Sequence, residues 1–290
     1  MYTDSKLYSL QSFAEIMPTY DSIHNQSFRE SILNFLVSKK YVKSNLSDLT
    51  QVHNFIEDKN LMITKNEVSW ENKRVSYGFS KLSKLLYELV DNDREFQKIY
   101  IDLLVNLYEL QGIDFYFQQF PTIRVHFPTD MKNSDYPLFH NDMAIGHPPS
   151  EINLWMPITI NKECTFSIMS YYDSLEILEE MNFDYKKLND IAYNDTEFNQ
   201  SCLDNSKDID GENGICDSSS FCIFNSLRLH STISPRKETR ISIDTRIIPV
   251  ENFDFDTKYK GEGRMGAEFW PGGTYGYNEK SIKEVINETH

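Results

Sequence analysis

Arg240-Ile241-Ser242-Ile243-Asp244-Thr245-Arg246-Ile247 changes character at every residue. Arg240, Ser242, Asp244 and Arg246 alternate with Ile241, Ile243, Thr245 and Ile247, a period of two that belongs to a β-strand. One face is therefore polar and cationic where a purely structural strand would be apolar. Burying a guanidinium on that face is costly unless it meets an anion. A carboxylate gripped by two parallel hydrogen bonds would satisfy Arg240.

The same period recurs upstream. Phe115-Tyr116-Phe117 and the run from Thr122 to Phe127 alternate as strands do, and further strands are expected at Glu151 to Ile158, Thr165 to Ser170, Ser219 to Phe224 and Thr239 to Pro249. Turn residues (Gly146-His147-Pro148-Pro149, Ser234-Pro235-Arg236) punctuate them. Strand following strand without intervening helices implies an antiparallel sandwich or barrel over about 115–250. A polar, acidic insertion interrupts it at about 171–217, with a helical start from Ser174 to Met181. It is either a partial cover over a site or an excursion from the core.

Residues 1–114 read as a helical layer. Ser27-Phe28-Arg29-Glu30 has the form of a capping box opening a helix from Glu30 to Ser38, and further helical spacing runs from about Tyr77 to Tyr87 and from Asp93 to Leu110. The tail, 251–290, is rich in Gly and aromatic residues and is expected to pack on the core. Its Trp270 and Tyr275 suit either a lid or core and oligomer contacts.

The 290 residues suffice for one large core, and 40% hydrophobic with 25% charged residues is ordinary for a soluble globular chain. A net charge of −15 argues against a nucleic-acid backbone or an anionic membrane as partner, while a local arginine cluster still admits a small anionic molecule. No apolar run approaches a bilayer-spanning length and the N-terminus lacks a signal-peptide core, so a cytoplasmic location is expected. Cys164, Cys202, Cys216 and Cys222 lack CxxC spacing and read as reduced thiols rather than a zinc site.

Two short strings carry the chemistry. In His140-Asn141-Asp142 the flanking residues point the same way along an extended segment. Alone, such a pair occurs by chance in a chain of this composition. His230, delivered by a turn after the Ser219 to Phe224 strand, is the natural third donor. Two imidazoles and one carboxylate hold a non-haem Fe(II) on one face and leave the opposite face open.

Together, His140-x-Asp142, His230 and Arg240-x-Ser242 resemble the Fe(II)- and 2-oxoglutarate-dependent oxygenases. Phe139-His140-Asn141-Asp142, Gly146-His147-Pro148, Ile152-Asn153-Leu154-Trp155-Met156-Pro157 and the strand from Arg240 to Arg246 are similar to the StrG-like, phytanoyl-CoA-hydroxylase-like branch over about Phe115 to Val250. The resemblance implies a double-stranded β-helix (jelly-roll, cupin-like) core behind the helical N-terminal layer. It implies that His140, Asp142 and His230 bind iron, that Arg240 salt-bridges the distal carboxylate of 2-oxoglutarate, and that Ser242 hydrogen-bonds it. O2 would be the second co-substrate, and the reaction hydroxylation of a C–H bond with release of succinate and CO2. Asp142 also argues against the halogenase variant, which needs that position vacated for chloride.

Asn153 shares a strand face with Trp155 and would reach 2-oxoglutarate or substrate. Arg124, His147, Trp155 and Arg246 are further candidates for touching substrate. Three of these have a structural alternative: an ion pair for Arg124, turn packing for His147, and pairing with Asp244 or another acid for Arg246. Arg246 lies too far along the strand from Arg240 to grip the same carboxylate. Arg228 and Arg236 read as solvated. The implied substrate is a small metabolite, a sugar or sugar-derived intermediate of polysaccharide or secondary metabolism. An amino acid, or a cupin-type isomerase or epimerase using a metal without 2-oxoglutarate, stays open beside it. Oligomeric state is open.

Overall fold

In a computed structural model, residues 15–18, 23–63, 80–128, 139–145, 147, 150–163, 165–211, 214, 216, 220–232, 235–252 and 278–289 are described. Strand β1 (Glu15–Pro18) precedes helices α1 (Ile23–Ser38), α2 (Val52–Phe55), α3 (Lys81–Leu85), α4 (Tyr87–Asn92) and α5 (Arg94–Gln111). Strands β2 (Phe115–Phe117), β3 (Thr122–His126), β4 (Ile152–Pro157) and β5 (Phe166–Met169) follow. Three helices then fill the insertion: α6 (Tyr171–Glu180), α7 (Tyr185–Asn194) and α8 (Thr196–Asp204). The chain continues with β6 (Ser206–Asp208), β7 (Ser220–Asn225), β8 (His230–Thr232), β9 (Arg240–Pro249) and α9 (Ile282–Thr289).

The strands form two antiparallel sheets. The larger runs β1-β7-β4-β9-β2, with β3 also paired to β9; the smaller runs β6-β5-β8. β9 is flanked by β4 on one side and by β2 and β3 end to end on the other. All ten of its residues are buried, as its alternation of isoleucine with polar groups requires if both faces are covered.

The apolar face of the large sheet carries Ile123, Val125, Ile152, Leu154, Met156, Phe221, Ile223, Ile241, Ile243 and Ile247. It shares one core with Phe28, Ile32 and Leu36 of α1, Leu82, Leu86, Leu89 and Val90 of the α3–α4 region, and Phe96, Leu103, Leu104 and Leu107 of α5. The i, i+4 spacing of Phe28, Ile32 and Leu36 gives α1 its buried stripe. Thr245 is a polar break on this face of β9, and Tyr100 resolves it: its hydroxyl pairs with Thr245 Oγ1 at 2.6 Å and donates to Gln118 O at 2.7 Å. Burial pushes the Tyr100 phenol up, so it stays a neutral donor. The other face of the large sheet meets the small sheet through Trp155, stacked on Phe166 at 4.7 Å, and Phe224, 5.9 Å from Phe166.

Mixed helix and antiparallel sheet is the expected architecture, with several local differences. Helix α1 begins at Ile23, so Ser27 lies inside it rather than capping it. The expected helix near Tyr77 starts instead at Ser80, whose hydroxyl accepts from Ser83 N; residues 77–79 lie outside the described residues. The third helix matches closely, with Asp93 as its N-cap. The insertion is more helical than expected: Ser170, Asp184 and Asp195 cap its three helices through their side chains, and Ser174, Leu178, Leu188, Ala192, Asn199 and Cys202 are buried. Strands β1, β6 and β8 and helix α9 add to the expected elements. Trp270, Tyr275 and most of the tail lie outside the described residues. Among the described residues, no helix is long and apolar enough to cross a membrane.

Candidate metal centre

His140 and His230 meet through a two-way backbone pair, His140 N to His230 O at 3.0 Å and His230 N to His140 O at 2.8 Å. Their rings lie 4.5 Å apart. Two residues on, Asp142 opens a single 3-10 turn (Asp142–Ile145) and its N–H donates to Ser226 O at 3.1 Å. Asn141 completes the stitch, accepting from Ala144 N and donating to Leu227 O. The segment carrying two donors is thus sewn to the turn that delivers the third.

His140, Asp142 and His230 each present one ligand atom, all within 4.8 Å of one another. His230 Nδ1 sits 3.0 Å from Arg228 O, a contact that requires the proton on Nδ1 and leaves the Nε2 lone pair facing Asp142 Oδ1 at 3.7 Å. Backbone fixing of the distal nitrogen is the usual way a ligating imidazole is oriented. His140 Nδ1 is buried with no hydrogen-bond partner among the described residues. Burial, reinforced by the His230 ring, brings the His140 pKa down to about 3, and burial also lowers that of His230. Both candidate donors are neutral at physiological pH. Burial alone would raise Asp142, but Arg246 and then His147 outweigh it and hold the carboxyl well below its ordinary range. Two neutral imidazoles and one carboxylate, with an orphaned ring nitrogen, are a donor set that fits Fe(II).

Arg246 stands directly behind this group. Its Nη2 is 3.5 Å from Asp142 Oδ2, its Nε 3.0 Å from Glu151 Oε1, and its Nη1 3.5 Å from Asp244 Oδ1. His147 Nδ1 meets Glu151 Oε1 at 2.6 Å, and Arg124 pairs with Asp244 from the next strand. Arg246 thus engages one oxygen of Asp142 while the other faces His230. Asp142, His147 and Glu151 also lie close enough to hold a cation, but Arg246 already supplies positive charge to two of them.

The strand register assembles the rest of the polar face. His126 lies opposite Arg240 and Arg124 opposite Ser242; Asn153 lies opposite Arg246 and Trp155 opposite Asp244. Directly opposed residues share a face. Arg240 Nη1 is 3.2 Å from His126 Nδ1, and its guanidinium lies 5.0 Å from the Trp155 ring and 5.8 Å from Phe166. Burial, then Arg240, holds His126 well below the usual histidine range, leaving a neutral ring that accepts from the arginine. Arg240 Nε is also 3.4 Å from Asp210 Oδ2. Ser242 Oγ and Asn153 Nδ2 are buried without a hydrogen-bond partner among the described residues. Such orphans are costly unless a ligand or water meets them, so this face fits a carboxylate-bearing molecule.

Arg240, Ser242, Asn153 and Trp155 share one face of the large sheet, and Phe166 links that face to the three ligand candidates, its ring 5.8 Å from the Arg240 guanidinium and 5.8 Å from the His230 ring. Arg124 is committed to Asp244, His147 to Glu151, and Arg246 to Asp142, Glu151 and Asp244 together. Arg236 is exposed as expected, but Arg228 is buried, and burial pushes its pKa down to about 10. The reason is its place in the tight turn before β8, where its carbonyl holds His230. Sequence reasoning missed Glu151 and Asp210. Glu151 offered only its four-residue spacing from His147, and Asp210 offered no signal within the insertion.

No protein-family model matches the chain, and no curated protein matches it. Among solved structures it is similar to the non-heme alpha-ketoglutarate-dependent carbocyclase SnoK from nogalamycin biosynthesis, at 12% identity over 92% of this chain and 90% of that one, with a TM-score of 0.44. It is also similar to the epimerase SnoN from the same biosynthesis (10%, 91% and 87%, TM-score 0.43) and to EctD from S. alaskensis (10%, 90% and 84%, TM-score 0.42). These likenesses are distant, and the roles of the residues rest on their own geometry.

Proposed function

We propose that the chain is an Fe(II)- and 2-oxoglutarate-dependent oxygenase that hydroxylates a small metabolite. The observation that carries this reading is the cluster of His140, Asp142 and His230, with Phe166 bridging it to the sheet face that holds a buried arginine and two orphaned polar atoms. His140, Asp142 and His230 would hold the metal. Arg246 keeps Asp142 ionised and engages one of its oxygens, and the Arg228 carbonyl fixes the His230 tautomer. Arg240, Ser242 and Asn153 would take the co-substrate. Trp155, Phe166 and Phe224 form an aromatic wall that excludes water from that side. Bound Fe(II) with 2-oxoglutarate and O2 would supply the oxidising power, the 2-oxo acid leaving as succinate and CO2. The catalytic unit would be 115–250, buttressed by the N-terminal helices. A sugar or sugar-derived intermediate is the substrate class that the sequence resemblance favours.

Anaerobic addition of Fe(II) and 2-oxoglutarate should produce a weak visible charge-transfer band that is lost in His140→Ala. Absence of the band, together with no succinate in air across a substrate screen, would overturn the reading. Arg240→Ala should raise the apparent 2-oxoglutarate requirement far more than the iron requirement.

A further inference from the structure

Asp210 is the least expected member of the polar face. It lies in the insertion, beyond β6, yet it is fully buried and its Oδ2 sits 3.4 Å from Arg240 Nε. It is not placed there loosely. Thr165 N donates to Asp210 Oδ1 at 3.1 Å and Thr165 Oγ1 to Oδ2 at 2.6 Å. The backbone around it is pinned by Ile209 N to Phe166 O at 2.9 Å, Cys216 N to Ile209 O at 2.8 Å and Gly214 N to Gly211 O at 3.1 Å. Gly214 packs so tightly on this turn that a Cβ there would come within 2.7 Å of the Asp210 carbonyl carbon. These contacts fix the Asp210 carboxylate in place, and it faces Arg240 Nε across an ion-pair distance without a hydrogen bond.

We propose that Asp210 is a resident counter-ion of Arg240, a positioning residue that sets how strongly and how selectively the co-substrate site takes a dicarboxylic 2-oxo acid. This rests on the function proposed above. Its physical basis is charge. A buried guanidinium with no anion is strongly disfavoured, and Asp210 removes that penalty before any ligand arrives. The neighbouring His126 is neutral, so the Arg240–Asp210 pair presents a net charge near zero. An incoming distal carboxylate thus meets an arginine whose field is already compensated, and meets a fixed like charge beside it in a water-poor site. Affinity for the distal carboxylate falls accordingly. A 2-oxo acid with a neutral distal end escapes the repulsion.

The test uses the charge-transfer band under anaerobic conditions, so that binding is read without turnover, together with Fe(II) affinity by dialysis. Asp210→Asn keeps the shape and an oxygen for Thr165 while deleting the charge. It is expected to tighten 2-oxoglutarate roughly tenfold with Fe(II) affinity unchanged. Unchanged or weakened 2-oxoglutarate binding in a folded Asp210→Asn protein would overturn the proposal. A wild-type measurement covers the case in which the variant fails to fold. 2-Oxoglutaramate, with an amide in place of the distal carboxylate, should bind within about tenfold of 2-oxoglutarate, because the charge advantage is already cancelled. A preference for the acid beyond about a hundredfold would sink the idea. If wild-type protein gives no band with Fe(II) and 2-oxoglutarate, the functional reading itself falls. A wild-type band with the wrong Asp210→Asn response removes only this inference.

Discussion

The two faces of β9 are built from alternate residues of one strand, yet they obey different rules. Ile241, Ile243 and Ile247 look towards the helices and join a core of aliphatic and aromatic side chains. Arg240, Ser242, Asp244 and Arg246 look the other way, into paired charges, orphaned hydroxyl and amide groups and the three metal-ligand candidates. On the first face, stability comes from removing apolar surface from water, a non-directional effect whose loss on truncation scales with the volume removed. On the second, each group depends on a named partner at a stated distance, and deleting one leaves another uncompensated. The strand keeps folding energy and chemistry apart by the simplest periodicity available.

That separation can be attacked one face at a time. The largest effect is expected from Asp142→Ala, which should abolish stoichiometric Fe(II) binding in equilibrium dialysis while far-ultraviolet circular dichroism stays native. Retained binding at wild-type strength would remove Asp142 from the ligand set. On the opposite face, Ile243→Ala should cost about 2–5 kcal/mol in urea unfolding, with the surviving folded protein binding Fe(II) normally. A parallel loss of metal affinity would mean that the two faces are not independent. Arg246→Gln should weaken Fe(II) roughly 10- to 100-fold, because it supports a ligand without being one. An unchanged Kd would reduce the arginine to a structural ion pair.

Smaller effects sharpen the contrast. Tyr100→Phe deletes the hydroxyl that satisfies Thr245 on the apolar face of β9 and should cost about 1 kcal/mol, read as a shifted denaturation midpoint. His126 provides a pH signature. Its folded pKa is depressed by burial and by Arg240, so the unfolded chain binds a proton first as pH falls below about 6.5. Its contribution is intact above that value and declines below it, by less than about 1 kcal/mol at pH 6. Buried His140 and His230 add in the same direction. His126→Gln should flatten part of the slope between pH 7 and 5, and an identical slope would place His126 outside the effect.

Legibility in the sequence follows how local each signal is. β9 stands out because β-branched residues at every second position fit a strand and little else, and α5 because its apolar stripe runs from Phe96 to Leu107 behind an Asp93 cap. The candidate ligands are readable because His140 and Asp142 are neighbours and His230 precedes Arg240 by a short interval. β1, β6 and β8 are hidden because their few residues lack the aromatic and apolar run that marks the equally short β2 and β5. For Arg246 the sequence admits either a substrate contact or an ion pair, and its link to Asp142 depends on packing between distant segments. Asp210 lies deeper still. Nothing in its neighbours reports that Thr165 and Arg240 will be beside it, since pairing of β5 with β6 brings Thr165 and the packing of one sheet on the other brings Arg240.

The two-way backbone pair between His140 and His230 has an entropic consequence. It ties the ends of a long loop that contains the entire helical insertion, so the ligand pair does not rely on metal to bring its two halves together. Loop-closure cost rises only by about 0.6 kcal/mol for each doubling of length. The length of the insertion therefore matters less than its contacts, since Asn199 accepts from Phe139 N and Ser174 accepts from Leu229 N, each one residue from a histidine of the pair. Changes that keep Ser174, Asn199 and their buried neighbours leave the two histidines tied, whatever the length of chain between them.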